Sequence, residues 1–385
     1  MTINWSQLES ECINFIQRLI QTPSMPFEEA AIAEVVASEL RRLEFDEVRI
    51  DEIGNVIGVV HGADRSLPKL VLNTHLDHVD PGDPALWPYP PFSGAIADGR
   101  IYGRGASDIK GPAAVQVYSI AALIREGIRP KRDIVFTCVV QEEIGGAGAE
   151  YWASTVDYPI ELIIIGEPSS NRVAVGHRGI FPIFVTFNGR AAHASAPQKA
   201  VNPNYALATF LTRLEAAKDS LGAHPRLGGT TVSPTTIEVD TKSRNVSPAW
   251  ARVCLDFRTS AESPNSLAAF IDSLASDLKP YTLTNPYGDS AEFDTSDETI
   301  TGFDTDPADP IAQRALALIA EGMGHQPEVI SYNFATDGRL MIGLGAPILG
   351  YAPGDEKEAH TAGESIQIAQ IGESLRGHVA LLRNL

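Results

Sequence analysis

The chain has 385 residues, more than one ordinary domain holds, and its 44% hydrophobic and 21% charged composition is that of a globular protein with a real core. Its 49 acidic and 30 basic residues give a net charge of −19, which argues against nucleic acid or an anionic membrane surface as a partner and reads as a solubility charge. Residues 1–6 have no basic stretch or apolar core, no apolar run reaches membrane-spanning length, and Cys12, Cys138 and Cys254 make no disulfide framework, so the reducing cytoplasm is the expected compartment.

Residues 7–21 and 28–43 carry apolar side chains at helical spacing, with Ile13, Ile16, Leu19 and Ile20 on the first face. Apolar runs at 47–51, 55–60 and 69–74 predict strands, and a stripe of Ala114, Val117, Ala121 and Ile124 predicts a helix over 109–126. The nearly unbroken apolar runs 134–140 and 162–165 are those of strands buried on both faces. From 179 the rhythm changes. Strand 179–188, helix 203–217, strands 230–239 and 251–258, helix 264–278 and a strand near 290 make a split β-α-β-β-α-β unit. Helix 310–322, a strand and helix 365–383 then rejoin the first part. The expected fold is α/β: a mostly parallel sheet flanked by helices in residues 1–178 and 292–385, with 179–291 inserted as a ferredoxin-like α+β domain.

Three of these strands end in residues that bind metals. Run 70–74 delivers His75, with Asp77 two residues on; 134–140 delivers Glu142 and Glu143; 162–165 delivers Glu167. Ligands of open α/β sheets bind just beyond the carboxyl ends of the strands. One acid there is often only the cap of the next helix, but three such ends point to a shared site. Asp108, in Gly105-Ala106-Ser107-Asp108-Ile109-Lys110-Gly111, opens a helix and also reads as its N-cap. His360 precedes the last helix, where alone it would be an ordinary loop histidine. Imidazole and carboxylate together suit Zn²⁺. Gly145-Gly146-Ala147-Gly148 lacks the full dinucleotide fingerprint, and Glu142 and Glu143 would repel a pyrophosphate.

The motifs His75-Leu76-Asp77, 105–111, Gln141-Glu142-Glu143, Gly166-Glu167-Pro168 and His360-Thr361-Ala362-Gly363-Glu364 run along essentially the whole chain. In residues and order they resemble the co-catalytic zinc hydrolases, which include acetylornithine deacetylase, succinyl-diaminopimelate desuccinylase, aminoacylase and the glutamate carboxypeptidases. The resemblance implies a zinc-peptidase-like catalytic domain, an inserted lid and dimerisation domain, and two zinc ions for which cobalt can substitute. It implies that His75, Asp108 and Glu167 bind one ion and that Glu143, His360 and the shared Asp108 bind the other. Glu142 becomes the general base, Asp77 the carboxylate that orients His75, and a cis peptide follows Asp108. A bridging carboxylate holds two cations close enough to share a water, whose proton a glutamate that is not a ligand can remove.

In the inserted domain, His193 resembles a histidine that reaches across a homodimer and stabilises the oxyanion in the partner's site. Arg178, Asn245 and Arg258 resemble residues that bind a substrate carboxylate, although Arg258 serves equally as a structural ion pair. Thr336 and Arg339 resemble residues lining the same pocket. The implied activity is hydrolysis of the amide bond of an N-acyl amino acid. A metallo-carboxypeptidase or dipeptidase acting on short peptides is one alternative. A non-catalytic metal- or peptide-binding relative is the other, and the presence of Glu142 with all five ligands speaks against it.

Overall fold

The computed structural model describes residues 3–284 and 301–385. It divides into two compact units, one of Met1–Gly176, Asp304–Tyr332 and Thr336–Leu385, the other of His177–Phe303 and Asn333–Ala335.

An eight-stranded sheet forms the centre of the first unit. Its order is Glu47–Ile50, Val56–Val60, Ile134–Val139, Lys69–His75, Ile160–Ile165, Ile348–Tyr351, Val173–His177, Val329–Tyr332. The middle four strands, Ile134–Val139 through Ile348–Tyr351, are parallel, and antiparallel strands flank them on both sides. Leu70, Val71 and Leu72 are buried, as are all of Leu162 to Ile165. That explains their unbroken hydrophobicity: both faces of these strands are covered, and each such side chain contributes about 1.5–3 kcal/mol relative to exposure.

Helices Trp5–Ile20, Gly111–Arg125, Pro310–Met323 and Ile368–Asn384 pack beside one another and share one apolar core with the sheet. The Gly111–Arg125 helix is not a striped surface helix, since every residue from Gly111 to Leu123 is buried. The last helix starts at Ile368 rather than 365. Ser365–Gln367 instead pairs with Arg100–Tyr102 in a small sheet completed by Ala95–Ala97, and that long-range pairing outweighs local helical propensity.

The second unit holds an antiparallel sheet ordered Thr231–Val239, Trp250–Thr259, Gly179–Asn188, Tyr281–Thr284, with helices Pro203–Ala217 and Pro264–Ala275. Strict alternation along Gly179–Asn188 and Trp250–Thr259 turns Phe181, Ile183, Val185, Phe187, Val253 and Leu255 onto one core with Phe210 and Ile271. The strand expected near 290 lies outside the described residues; Tyr281–Thr284 fills the fourth position of the sheet. No helix among the described residues is long and apolar enough to cross a membrane.

Candidate metal centre

The parallel strands carry the chemistry to their carboxyl ends. His75 is the last residue of Lys69–His75, Glu142 and Glu143 follow Ile134–Val139, and Glu167 follows Ile160–Ile165. Asp108 caps no helix. It sits in the Ala106–Lys110 turn with non-helical φ/ψ, and the next helix has Lys110 at its N-cap. The Asp108–Ile109 peptide is cis, as the resemblance implies.

Two groups of donor atoms meet at Asp108. His75, Asp108 and Glu167 offer one set of ligand atoms within 4.8 Å of one another, and Asp108, Glu143 and His360 offer a second. His75 Nε2 lies 3.2 Å from Asp108 Oδ1 and 3.6 Å from Glu167 Oε1. On the other side, His360 Nε2 lies 3.3 Å from Asp108 Oδ2 and 3.1 Å from Glu143 Oε2. Glu142 belongs to neither group, with Oε2 4.0 Å from His75 Nε2.

The donor set fits a pair of divalent cations. His75 Nε2 and Asp108 Oδ1 are buried and face each other, yet neither has a hydrogen-bond partner. Buried polar atoms are normally satisfied, and imidazole and carboxylate atoms converging in this way are what a cation site presents. The electrostatics agree. Burial pushes Glu142 and Glu167 well above the usual carboxylate range, helped by Asp337 and Asp108 respectively, and Glu143 is raised chiefly by burial. Asp108 is equally buried, but the His360 and His75 imidazoles hold it low. Burial alone would lower His75, yet the Asp108 and Asp77 carboxylates carry it well above an ordinary imidazole. His360 is raised to about 10 by Asp108 and Glu143.

Three further residues brace this array. His75 Nδ1 lies 3.1 Å from the Asp77 backbone carbonyl and 3.4 Å from its carboxylate, which also accepts the backbone N–H of Glu142 at 3.1 Å and of Glu143 at 3.0 Å. One residue therefore braces both His75 and the glutamate pair. Glu364 is fully buried and accepts N–H groups from Gly105, Ser107 and Asp108 at 3.0–3.1 Å, with Arg104 Nη1 at 2.5 Å. It clamps the loop that carries Asp108. Tyr332 donates its hydroxyl to the Glu167 carbonyl at 2.9 Å. Glu364 stands in a motif visible in the sequence, but nothing local reveals what its carboxylate holds; Tyr332 leaves no sequence signal.

In the second unit, His193 and Asn245 are neighbours. Strands Ala192–His193 and Val246–Ser247 pair, and Asn245 Nδ2 lies 3.5 Å from His193 Nε2. Arg178 Nη1 donates to the Gly229 carbonyl and to Thr231 Oγ1, and Thr231 is the sheet partner of Arg258. Arg258 makes a bidentate pair with Asp256 at 2.7 and 3.2 Å, the structural use that the sequence left open. Thr336 is buried and accepts the Gly338 N–H at 3.1 Å, while Arg339 donates to the Gly145 carbonyl at 2.8 Å.

Comparison with known proteins covers nearly all of the chain. The profile of Peptidase family M20/M25/M40 matches residues 71–384. The uncharacterized protein YgeY of Escherichia coli K12 is 28% identical over 370 residues, 92% of this chain and 90% of that one. A succinyl-diaminopimelate desuccinylase of Cereibacter sphaeroides is 28% identical over 369 residues, 92% of this chain and 93% of its own. The crystal structure of aminopeptidase PepT from Bacillus cereus superposes with a TM-score of 0.75 at 20% identity, covering 99% of this chain and 98% of that one; at that identity the match speaks for the fold.

Proposed function

This chain belongs to peptidase family M20/M25/M40, a family of metal-dependent amide-bond hydrolases, and from that premise we propose that it cleaves the amide bond of an N-acyl amino acid. The observation that carries the reading is the pair of donor groups sharing Asp108, with Glu142 beside them and outside both. His75, Asp108 and Glu167 would hold one ion and Asp108, Glu143 and His360 the other. Zinc is the ion that this mixture of imidazole and carboxylate suits. When bound, the ions lower the pKa of a water and polarise the scissile carbonyl.

Glu142 takes the proton of the attacking water and returns it to the leaving nitrogen. Asp77 holds the His75 ring with its carbonyl and carboxylate and the Glu142 backbone with its carboxylate, so base and ligand keep their spacing.

The acylated substrate is supported by the 28% identity to a desuccinylase. It is also supported by Arg178, whose guanidinium lies beside Thr231, and by Asn245 next to His193. Offered a panel of N-acetyl and N-succinyl amino acids, dipeptides and tripeptides, the purified enzyme should give its highest kcat/KM on an acylated amino acid. A preference for di- or tripeptides would move the assignment to the short-peptide reading, and turnover of none would reject both. The unbridged cysteines Cys12, Cys138 and Cys254 agree with a cytoplasmic setting.

A homodimer is part of the proposal. Thr231–Val239 is an edge strand exposed along nearly its whole length, with Ile237 59% and Val239 39% exposed, and such an edge is a ready template for pairing with a second chain. His193 is the candidate that acts on the partner's substrate. Its Nδ1 accepts the Ser195 N–H at 3.2 Å, and with the proton on Nε2 the ring can donate to a developing oxyanion. His193→Ala should cost about 10²–10³-fold in turnover with metal content intact. Mixed with Glu142→Gln subunits and reassembled, it should recover roughly a quarter of wild-type activity, because half of randomly paired dimers hold one complete site. No recovery, with mixed dimers confirmed by mass spectrometry, would place His193 in its own subunit or outside catalysis.

A further inference from the structure

After the Glu142–Glu143 pair the chain turns through Gly145 and Gly146, whose N–H groups close onto the Glu142 and Gln141 carbonyls at 3.1 and 2.8 Å. This turn is interlocked with Thr336–Leu340, a segment almost two hundred residues later (the Arg339–Gly145 separation is 194). Gly146 has φ +85°, and a Cβ there would come within 2.4 Å of both Asp337 Oδ1 and Leu340 Cδ1. Arg339 Nη2 holds the adjoining Gly145 carbonyl at 2.8 Å. Two neighbouring residues of one turn are thus pinned by three of the other. Asp337 is only 3% exposed, and its Oδ2 has no hydrogen-bond partner. A carboxylate left so in an interior costs stability, which calls for a use other than packing.

We propose that Asp337 and Arg339 are positioning residues for Glu142. By clamping the Gly145–Gly146 turn they fix where the base's carboxylate stands, and Arg339 acts on the reaction through that turn rather than by binding substrate. The proposal rests on Glu142 being the general base.

The test measures kcat, KM and metal content for Arg339→Gln, Asp337→Asn and Gly146→Ala, each alone and combined with Glu142→Gln. Arg339→Gln and Asp337→Asn should each lower kcat about tenfold, the effect of one lost hydrogen bond or charge contact. Gly146→Ala, which must displace the turn, should lower it on the order of 10²-fold. KM and metal content should stay at wild-type values. Combined with Glu142→Gln, none should lower the residual turnover further, because changes that act through one group do not add. A raised KM with unchanged kcat for Arg339→Gln would make it a substrate ligand and overturn the proposal. Losses that multiply in the Glu142→Gln background, or wild-type kcat in both polar variants, would overturn it equally. Should Gly146→Ala fail to fold, the two polar variants decide alone. Full activity in Glu142→Gln itself would instead reject the base assignment, so the two failures are distinguishable.

Discussion

Glu142→Gln should bind its metal and turn over about 10²–10⁴-fold more slowly, the deficit of an enzyme without its general base. Glu143→Gln, one residue along, should lose metal affinity as well. The two side chains are adjacent but have separate surroundings. Glu143 is 3.1 Å from His360 and falls within a donor group, whereas Glu142 falls within neither. Asp77 holds both backbone N–H groups, so either amide replacement leaves the local chain path in place. Metal analysis and steady-state kinetics on both variants check the assignment; poor metal retention in Glu142→Gln with good retention in Glu143→Gln would reverse the roles.

The same variant makes a prediction about stability. In the folded chain the Glu142 pKa lies well above its ordinary value, because burial and then Asp337 disfavour the charge. Below the unfolded pKa the group is neutral in both states and has no effect. As pH rises past it, the unfolded state ionises first and the folded state loses relative stability. After chelation, Glu142→Gln should therefore melt above wild type at neutral pH, and the gap should close on acidification below about pH 4, where free glutamate is itself protonated. An unchanged gap across that range would show that Glu142 is not buried as a charge.

Removal of metal is the second large effect. Chelation should abolish activity, and zinc or cobalt should restore it. It should also lower the melting temperature, since an ion that binds only the folded state at a hundred times its Kd contributes about 2.7 kcal/mol. The cause lies in the buried acids around Asp108: burial first, and then neighbouring carboxylates, push Glu142, Glu143 and Glu167 upward, and a cation offsets that cost. Full activity in protein shown metal-free by elemental analysis would end the mechanism.

The candidate site residues were legible for a topological reason. A strand buried on both faces is an unbroken apolar run, its end is visible in sequence, and ligands gather at strand ends; His75, Glu142, Glu143 and Glu167 follow from that. The four-stranded unit was legible because alternation along 179–188 and 251–258 is strict. What escaped depends on partners distant in sequence. Ser365–Gln367 reads as the start of a helix until Arg100–Tyr102 is beside it. Asp77 reads as a partner of His75, but its hold on the Glu142 and Glu143 backbone arises only when the neighbouring strands are in register. Asp337 and Arg339 sit in a segment whose residues suggest a pocket, and only coordinates reveal the turn they grip.

The grip of Glu364 on the Asp108 loop joins groups 256 residues apart, and this bears on synthesis. A nascent chain acquires His75, Asp108, Glu143 and Glu167 while still short, but His360 and Glu364 emerge only after the whole second unit has been translated. Until then the backbone N–H groups of Gly105, Ser107 and Asp108 have no carboxylate to bind and one donor group has no imidazole. The Asp108 loop can close only near the end of translation, so an incomplete chain on the ribosome is poorly equipped to capture metal and carry out hydrolysis.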